Sequence, residues 1–173
     1  AGVDIVLGPE MRSTGEVMGI SDRFSLAFAK SQLAAGVVLP PKRGKIFVSV
    51  ATRHKDRFVE LAARLVKLGF ELIATGGTAR RLEQAGISVE RVKKIAEGHP
   101  NLIDLMIDGK IGLVMNTPSG KGARTDEGRI RAAAVQHGVS CITTIQAAEA
   151  AVVAMEALRD EELSVQAIQD RFA

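Results

Sequence analysis

The sequence predicts an α/β fold with three layers, α/β/α, around a five-stranded parallel sheet that is doubly wound. Three observations lead there. Short apolar runs alternate with longer amphipathic runs from residue 45 to residue 157. The short runs, such as "IFVSV" and "GLVMN", are continuously hydrophobic, as in strands covered on both faces. The connections are brief, and strand–helix alternation with brief connections gives parallel strands joined by right-handed crossovers.

Each element follows in order. "KIFVSVA" reads as the first strand. "RHKDRFVELAARLVKLG" reads as an amphipathic helix, and Gly69 closes it because glycine accepts the left-handed conformation that ends a helix. "FELIA" is the second strand, and "TARRLEQAG" is a helix that again ends at glycine. "SVERVKKI" carries a short third strand. "NLIDLMIDG" is a short helix with Asn101 as its cap, after Pro100. "IGLVMN" is the fourth strand, "TDEGRIRAAAVQHG" a helix, "VSCITT" the fifth strand and "IQAAEAAVVAMEAL" a helix. A last helix is expected around residues 164–172, packed on the outside.

Ahead of this pattern lies a different region. "VVLPPKRGK" reads as a linker, because Pro40 and Pro41 favour extended backbone and the basic residues keep it solvated. The expected boundaries are residues 1–36 as the tail of a preceding domain, 37–44 as the linker and 45–173 as the main domain. A helix is expected from Ser21 to Ala35, with Ser21 as N-cap and Phe24, Ala27, Phe28 and Leu33 on one apolar face. Residues 1–36 are too few to bury a core of their own. They are either a surface segment docked on the main domain or the end of a domain lying upstream. The chain starts without Met, as either a secreted mature protein or a piece cut from a longer polypeptide would.

Composition excludes several function classes. The 173 residues are 46% hydrophobic, without Trp or Tyr, so the core rests on Val, Ile, Leu and Ala. With 23 basic and 20 acidic residues, the charge is too balanced to argue for nucleic acid, and aromatics to stack bases are scarce. The single Cys141 forms no internal disulfide and suits a reducing, cytoplasmic compartment. Cys141 falls inside a strand and reads as a buried apolar residue. No run approaches the roughly 20 apolar residues of a membrane span, so no membrane partner is expected. The histidines are scattered without metal-ligand spacing, so no metal site is expected. No His partners Ser13 or Thr14, which argues against a serine hydrolase.

Ligands of such sheets bind beyond the carboxyl ends of the strands. Arg53, His54 and Lys55 follow the first strand. Thr75-Gly76-Gly77-Thr78 follows the second, and Lys93 and Lys94 lie in the third connection. Asn116, Thr117, Ser119, Lys121 and Arg124 follow the fourth, and Thr143 and Thr144 the fifth. The inventory is hydroxyls, glycine backbone, amide and cations, with almost no carboxylate. A helix N-terminus offers unpaired N–H groups and about half a positive charge. Glycines admit close backbone approach, and lysines from neighbouring loops complete a phosphate cradle. The alternative is a tight turn with a threonine cap. The spacing matches neither the P-loop nor the dinucleotide-binding fingerprint. Asp104, Asp108 and Asp126 fall in helices or helix starts, and no carboxylate is placed as a general base. Such a site suits holding a ligand rather than turning it over, so no catalytic residue is expected.

These residues carry a resemblance. "LGPEMRSTGEVMG" is similar to the closing segment of the second ATP-grasp unit in the large subunit of carbamoyl-phosphate synthase. "GFELIATGGTARRLEQAGI", "KKIAEGHPNLIDLMIDGKI" and "MNTPSGK" resemble that subunit's C-terminal regulatory domain, which has the methylglyoxal-synthase-like fold. The resemblance runs from about Val3 to Leu158. It implies a parent enzyme that makes carbamoyl phosphate from bicarbonate, glutamine-derived ammonia and two ATP, with Mg or Mn, for arginine and pyrimidine synthesis. It implies a glutaminase small subunit as partner, and a terminal domain that binds the nucleotide monophosphates UMP or IMP. Carried over by position, the implied phosphate-binding residues are Lys55, Thr75, Thr78, Lys94, Asn116 and Thr117, with Gly76 and Gly77 between the threonines. Thr143 falls on the ornithine side of the family's effector region.

Departures matter. The family's second threonine in "N-T-T-S-G" is Pro118 here, and its ornithine-side tyrosine is Cys141, which puts ornithine activation in doubt. Glu10, Arg12 and Glu16 match the ATP-grasp tail. The rival reading within the fold is a methylglyoxal synthase-type lyase. That family's catalytic aspartates should fall near Gly98–Asn101 and at Ser119, where this chain has "GHPN" and serine. A freestanding phosphate-ligand-binding module is a second rival, against which "GPEMRSTGEVMG" argues.

Overall fold

The structure is a computed structural model, and residues 17–40, 44–117 and 126–171 are described. Expectations for Ser13, Thr14, Glu10, Arg12, Glu16, Pro118, Ser119, Lys121 and Arg124 lie outside the described residues.

Five parallel strands form the sheet: β1 (Gly44–Val50), β2 (Phe70–Ala74), β3 (Glu90–Arg91), β4 (Ile111–Thr117) and β5 (Cys141–Ile142). Their spatial order is β3-β2-β1-β4-β5. The chain therefore winds outward from β1 through β2 to β3, then crosses back to place β4 on the other side of β1. That reversal makes a switch point at the carboxyl ends of β1 and β4, where open α/β sheets bind ligands. β5 is shorter than the "VSCITT" run implied.

The two faces bury different helices. One covers α2 (Lys55–Lys67), α3 (Gly76–Gln84) and α6 (Ile145–Asp160); the other covers α4 (Leu102–Ile107) and α5 (Asp126–Gln136). Helix α2 turns Phe58, Leu61, Ala62 and Leu65 inward, the spacing of a single helical stripe. Each such large side chain contributes about 1.5–3 kcal/mol by leaving water. Gly69, at φ +92°, reverses the chain into β2. Helix α6 is capped by Thr144, whose hydroxyl accepts the N–H of Ala147 at 3.1 Å.

The register of β4 is re-phased at Gly112. Lys45 pairs with Ile111, but Ile46 pairs with Leu113, so one residue of β4 bulges out. Beyond the bulge Leu113 and Met115 belong to the α2/α6 core and Val114 to the α4/α5 core. Asn116 follows Val114 in phase, and Thr117 follows Met115. Without the bulge the two would exchange faces.

Helix α1 (Phe24–Ala34) corrects the expected N-terminal helix. It starts three residues later than Ser21, with Arg23 at the N-cap position and no side-chain cap bond. The apolar face differs in part: Phe28 packs against the core as expected, but its companions do not all follow. Phe24 is 68% and Leu33 63% exposed, while Ser25 and Ala29 are buried. Helix α1 lies on α6, which presents Ala148, Ala151 and Ala154 among its buried residues. Ala29 of α1 and these alanines of α6 belong to the same buried core. Leu39, just after, is buried in the same core, and the N–H of Val38 donates to Ser140 Oγ at 2.9 Å. The last helix, α7, is a single turn, Ile168–Arg171, shorter than expected.

Candidate functional site

A pocket of about 300 Å³ opens at the carboxyl ends of the strands. Phe47 and Ser49 of β1, Thr75 after β2, Lys93, Lys94 and Ile95 after β3, Leu102 of α4, and Asp126, Glu127 and Ile130 of α5 line it. Thr75 is the N-cap residue of α3 in extended conformation, and Gly76, with φ +26°, starts the helix. The N–H of Thr78 donates to the Thr75 carbonyl at 3.1 Å, closing the first turn.

Two lysines from different loops reach this turn. A Cβ built on Gly77 would lie 2.7 Å from Lys55 Nζ, and one built on Gly76 would lie 3.7 Å from Lys94 Cε. Lys55 is the first residue of α2, and Lys94 precedes a short 3-10 turn, Ile95–Glu97. Glu97 holds that turn by accepting the N–H of Lys94 at 2.9 Å. Among the described residues neither ammonium has an ion-pair partner. A helix N-terminus with two such cations beside it attracts an anion.

The third connection is braced from α4. Asn101 Oδ1 accepts the N–H of Ile103, and Asp104 accepts the N–H of Asn101, each at 2.8 Å. That N–H, together with His99, holds the Asp104 carboxyl below its ordinary range. Lys93 Nζ donates to the His99 carbonyl at 2.7 Å, so the segment carrying Lys93 and Lys94 is closed on itself.

The remaining sequence-derived residues divide. The Thr78 hydroxyl accepts the N–H of Val50 at 3.1 Å, and the Thr117 hydroxyl accepts the N–H of Ala51 at 2.9 Å. Both threonines are buried, and both first serve to hold the end of β1. Asn116 is fully buried; its Nδ2 donates to the Glu127 carbonyl at 3.1 Å and, among the described residues, its Oδ1 has no partner. An orphan acceptor suits an O–H or N–H donor rather than a phosphate oxygen. Thr143 follows β5, at the side of the sheet away from β2 and β3, and is not among the pocket walls. Cys141 is half-buried, and burial pushes its thiol up to about 11.

One expectation is overturned. The rim was expected to hold almost no carboxylate, but Asp126 and Glu127 line the pocket. They stand in the first turn of α5, where the helix dipole favours acidic residues. An acidic pair directly after the rim loop of β4 is the sequence signal that could have found them. Ser49 and Lys93 also line the pocket without having been singled out as binding residues. Among the described residues, no group of three or more His, Cys, Asp and Glu is placed to hold a metal ion. No described helix is long and apolar enough to cross a membrane.

The class of protein follows from this fold and rim: the chain belongs to the MGS-like domain family, whose model matches residues 57–143. Its relatives are more specific. Over its full 173 residues it is 66% identical to the carbamoyl phosphate synthase large chain of Rhodopirellula baltica. It is 51% identical over 170 residues to the protein of Methanopyrus kandleri called carbamoyl phosphate synthase large chain, C-terminal section, and 48% identical over 175 residues to that of Aquifex aeolicus. The match takes in 100%, 98% and 98% of this chain, but 16%, 31% and 32% of those proteins.

Proposed function

We propose that this chain is the allosteric regulatory part of a glutamine-hydrolysing carbamoyl-phosphate synthase large chain, and that its rim binds the phosphate of UMP or IMP. The convergence of Lys55 and Lys94 on Gly76 and Gly77, at the start of α3, carries this reading. The phosphate would meet the α3 amides and the two ammonium groups. Thr75, Lys93 and Ser49 stand around it. The carboxylate of Asp126, on the pocket wall, is an acceptor suited to hydroxyl or N–H donors on the rest of the ligand.

On this reading the chain itself is non-catalytic. ATP with Mg or Mn would be used by synthetase units outside these 173 residues, in a cytoplasmic enzyme supplying arginine and pyrimidine synthesis. The rest of the large chain and a glutaminase small subunit are the partners. The effector would act by binding one state of the parent better than another.

Calorimetric titration with UMP, IMP and ornithine tests this. Saturable binding of at least one nucleotide is expected. If neither UMP nor IMP releases or absorbs heat, and neither raises the melting temperature, the phosphate seat is not functional.

One observation favours a second reading. Carboxylates beside lysines in a pocket are also what a phosphate-eliminating lyase of the methylglyoxal synthase type needs. Incubation with dihydroxyacetone phosphate separates the two: formation of methylglyoxal would establish the lyase.

A further inference from the structure

Gly77 stands in an unusual relation to Lys55. A side chain there would begin 2.7 Å from the ammonium nitrogen, closer than real Cβ contacts come. The backbone does not demand glycine, since the positive torsion falls at Gly76, not at Gly77. The helix does not demand it either. Gly77 is the second residue of α3, and glycine is the poorest ordinary helix former apart from proline. The volume reserved at residue 77 is the volume that the Lys55 ammonium occupies.

The arrangement is unfavourable without an anion. Lys55 approaches the positive end of the α3 dipole, and the Lys94 side chain approaches the same turn at Gly76. Neither forms an ion pair among the described residues, although Asp126 and Glu127 line the pocket beside Lys94. A second ammonium beside the helix end adds most for an anion carrying two charges.

We propose that Gly77 is a positioning residue: its missing side chain admits the Lys55 ammonium to the N-terminus of α3, and the two lysines held there select a doubly charged phosphate monoester over a singly charged anion. This rests on the phosphate-binding reading above. Gly77 need not touch the ligand; it acts through Lys55.

The test is a double-mutant cycle on the whole 173-residue chain. UMP affinity is measured by calorimetry for the parent sequence, Gly77→Ala, Lys55→Met and the double variant, beside thermal denaturation. Gly77→Ala should weaken UMP binding about tenfold, the scale of one charge-assisted contact. Lys55→Met should do the same, and the double variant should be no weaker than Lys55→Met alone. The melting temperature of Gly77→Ala should be unchanged or higher, because alanine favours the helix and a lysine end moves aside readily. The preference for UMP over its singly charged phosphate methyl ester should narrow in Gly77→Ala. Equal affinity in Gly77→Ala, additive losses in the double variant, or a lower melting temperature would each overturn the proposal while leaving the phosphate reading standing. Failure of the parent sequence to bind UMP would remove both.

Discussion

The hydroxyl of Thr78 accepts the backbone N–H of Val50 at 3.1 Å, tying the first turn of α3 to the last residue of β1. The bond is buried, and it joins the two elements that carry the glycines and the strand end of the pocket. Thr78→Val keeps the shape and removes the acceptor. The expected cost is about 1–3 kcal/mol, the penalty of stranding a buried N–H. Urea unfolding should show it, and Thr78→Ser should recover most of the loss. A valine variant as stable as the parent would mean that the bond contributes nothing.

Gly19 meets α1 through its backbone. A Cβ at this position would fall on the carbonyl of Ala27 and close to the N–H of Ser31. Lys30 Nζ also donates to the Ile20 carbonyl at 3.1 Å, so this segment is held along the helix. Gly19→Ala is expected to cost about 1–3 kcal/mol, as overpacking does. Amide exchange should accelerate in α1 before the sheet. Identical protection in both proteins would refute the close approach.

Arg64 and Glu156 join α2 to α6 by two hydrogen bonds, of 2.8 and 2.6 Å. The Arg64 hydrogen bond holds the Glu156 carboxyl below its ordinary range. A depressed carboxyl stabilises the fold above its unfolded pKa, and that contribution disappears as pH falls through the folded pKa. The pair should therefore add its full stability at pH 7 and progressively less as pH falls below the ordinary 4.5. About a third of each side chain is exposed, so the gain is under about 1 kcal/mol. Glu156→Gln should lower the urea midpoint at pH 7, and the difference should shrink as pH falls below 4.5. The reverse order would contradict the assignment.

Burial raises the Cys141 thiol to about 11 from an ordinary 9.0. At pH 8 the folded chain should then react with iodoacetamide roughly a hundredfold more slowly than the urea-unfolded chain, because only the thiolate attacks. Equal rates would show that the thiol is open to solvent.

A phosphate monoester loses its second charge near pH 6. UMP binding to the two-lysine turn should weaken as pH falls from 7.5 to 5.5, and it should weaken with added salt as exposed charge contacts do. A flat titration series would argue that the ligand is held by something other than the lysines.

Much of this molecule was legible in its sequence. The apolar runs of β1, β2 and β4, the stripe Phe58-Leu61-Ala62-Leu65, Gly69 and Asn101 all sit where local periodicity and capping place them. The junction at Thr75–Thr78 was legible too, since glycines between a strand and a helix have a local meaning. The misreadings were not local. Phe24 and Leu33 looked like part of a buried face, yet both are exposed while Ser25 and Ala29 are buried, and hydrophobicity alone does not reveal which stripe the neighbouring surface accepts. Asp126 read only as a residue at a helix start and Glu127 was not singled out, because the place of both on the pocket wall depends on α5 packing on the α4 side of the sheet.

By itself, the sequence determined the parallel α/β class, the helix ends and the glycine-threonine turn, because each follows from backbone geometry within a few residues. The sequence placed Lys55 and Lys94, 39 residues apart, at one sheet edge, but only the tertiary structure decided how close each comes to Gly77 and Gly76. It also decided, through the bulge at Gly112, which face of the sheet Asn116 and Thr117 take. Strand order and register are set by packing between distant segments, and no local pattern encodes them.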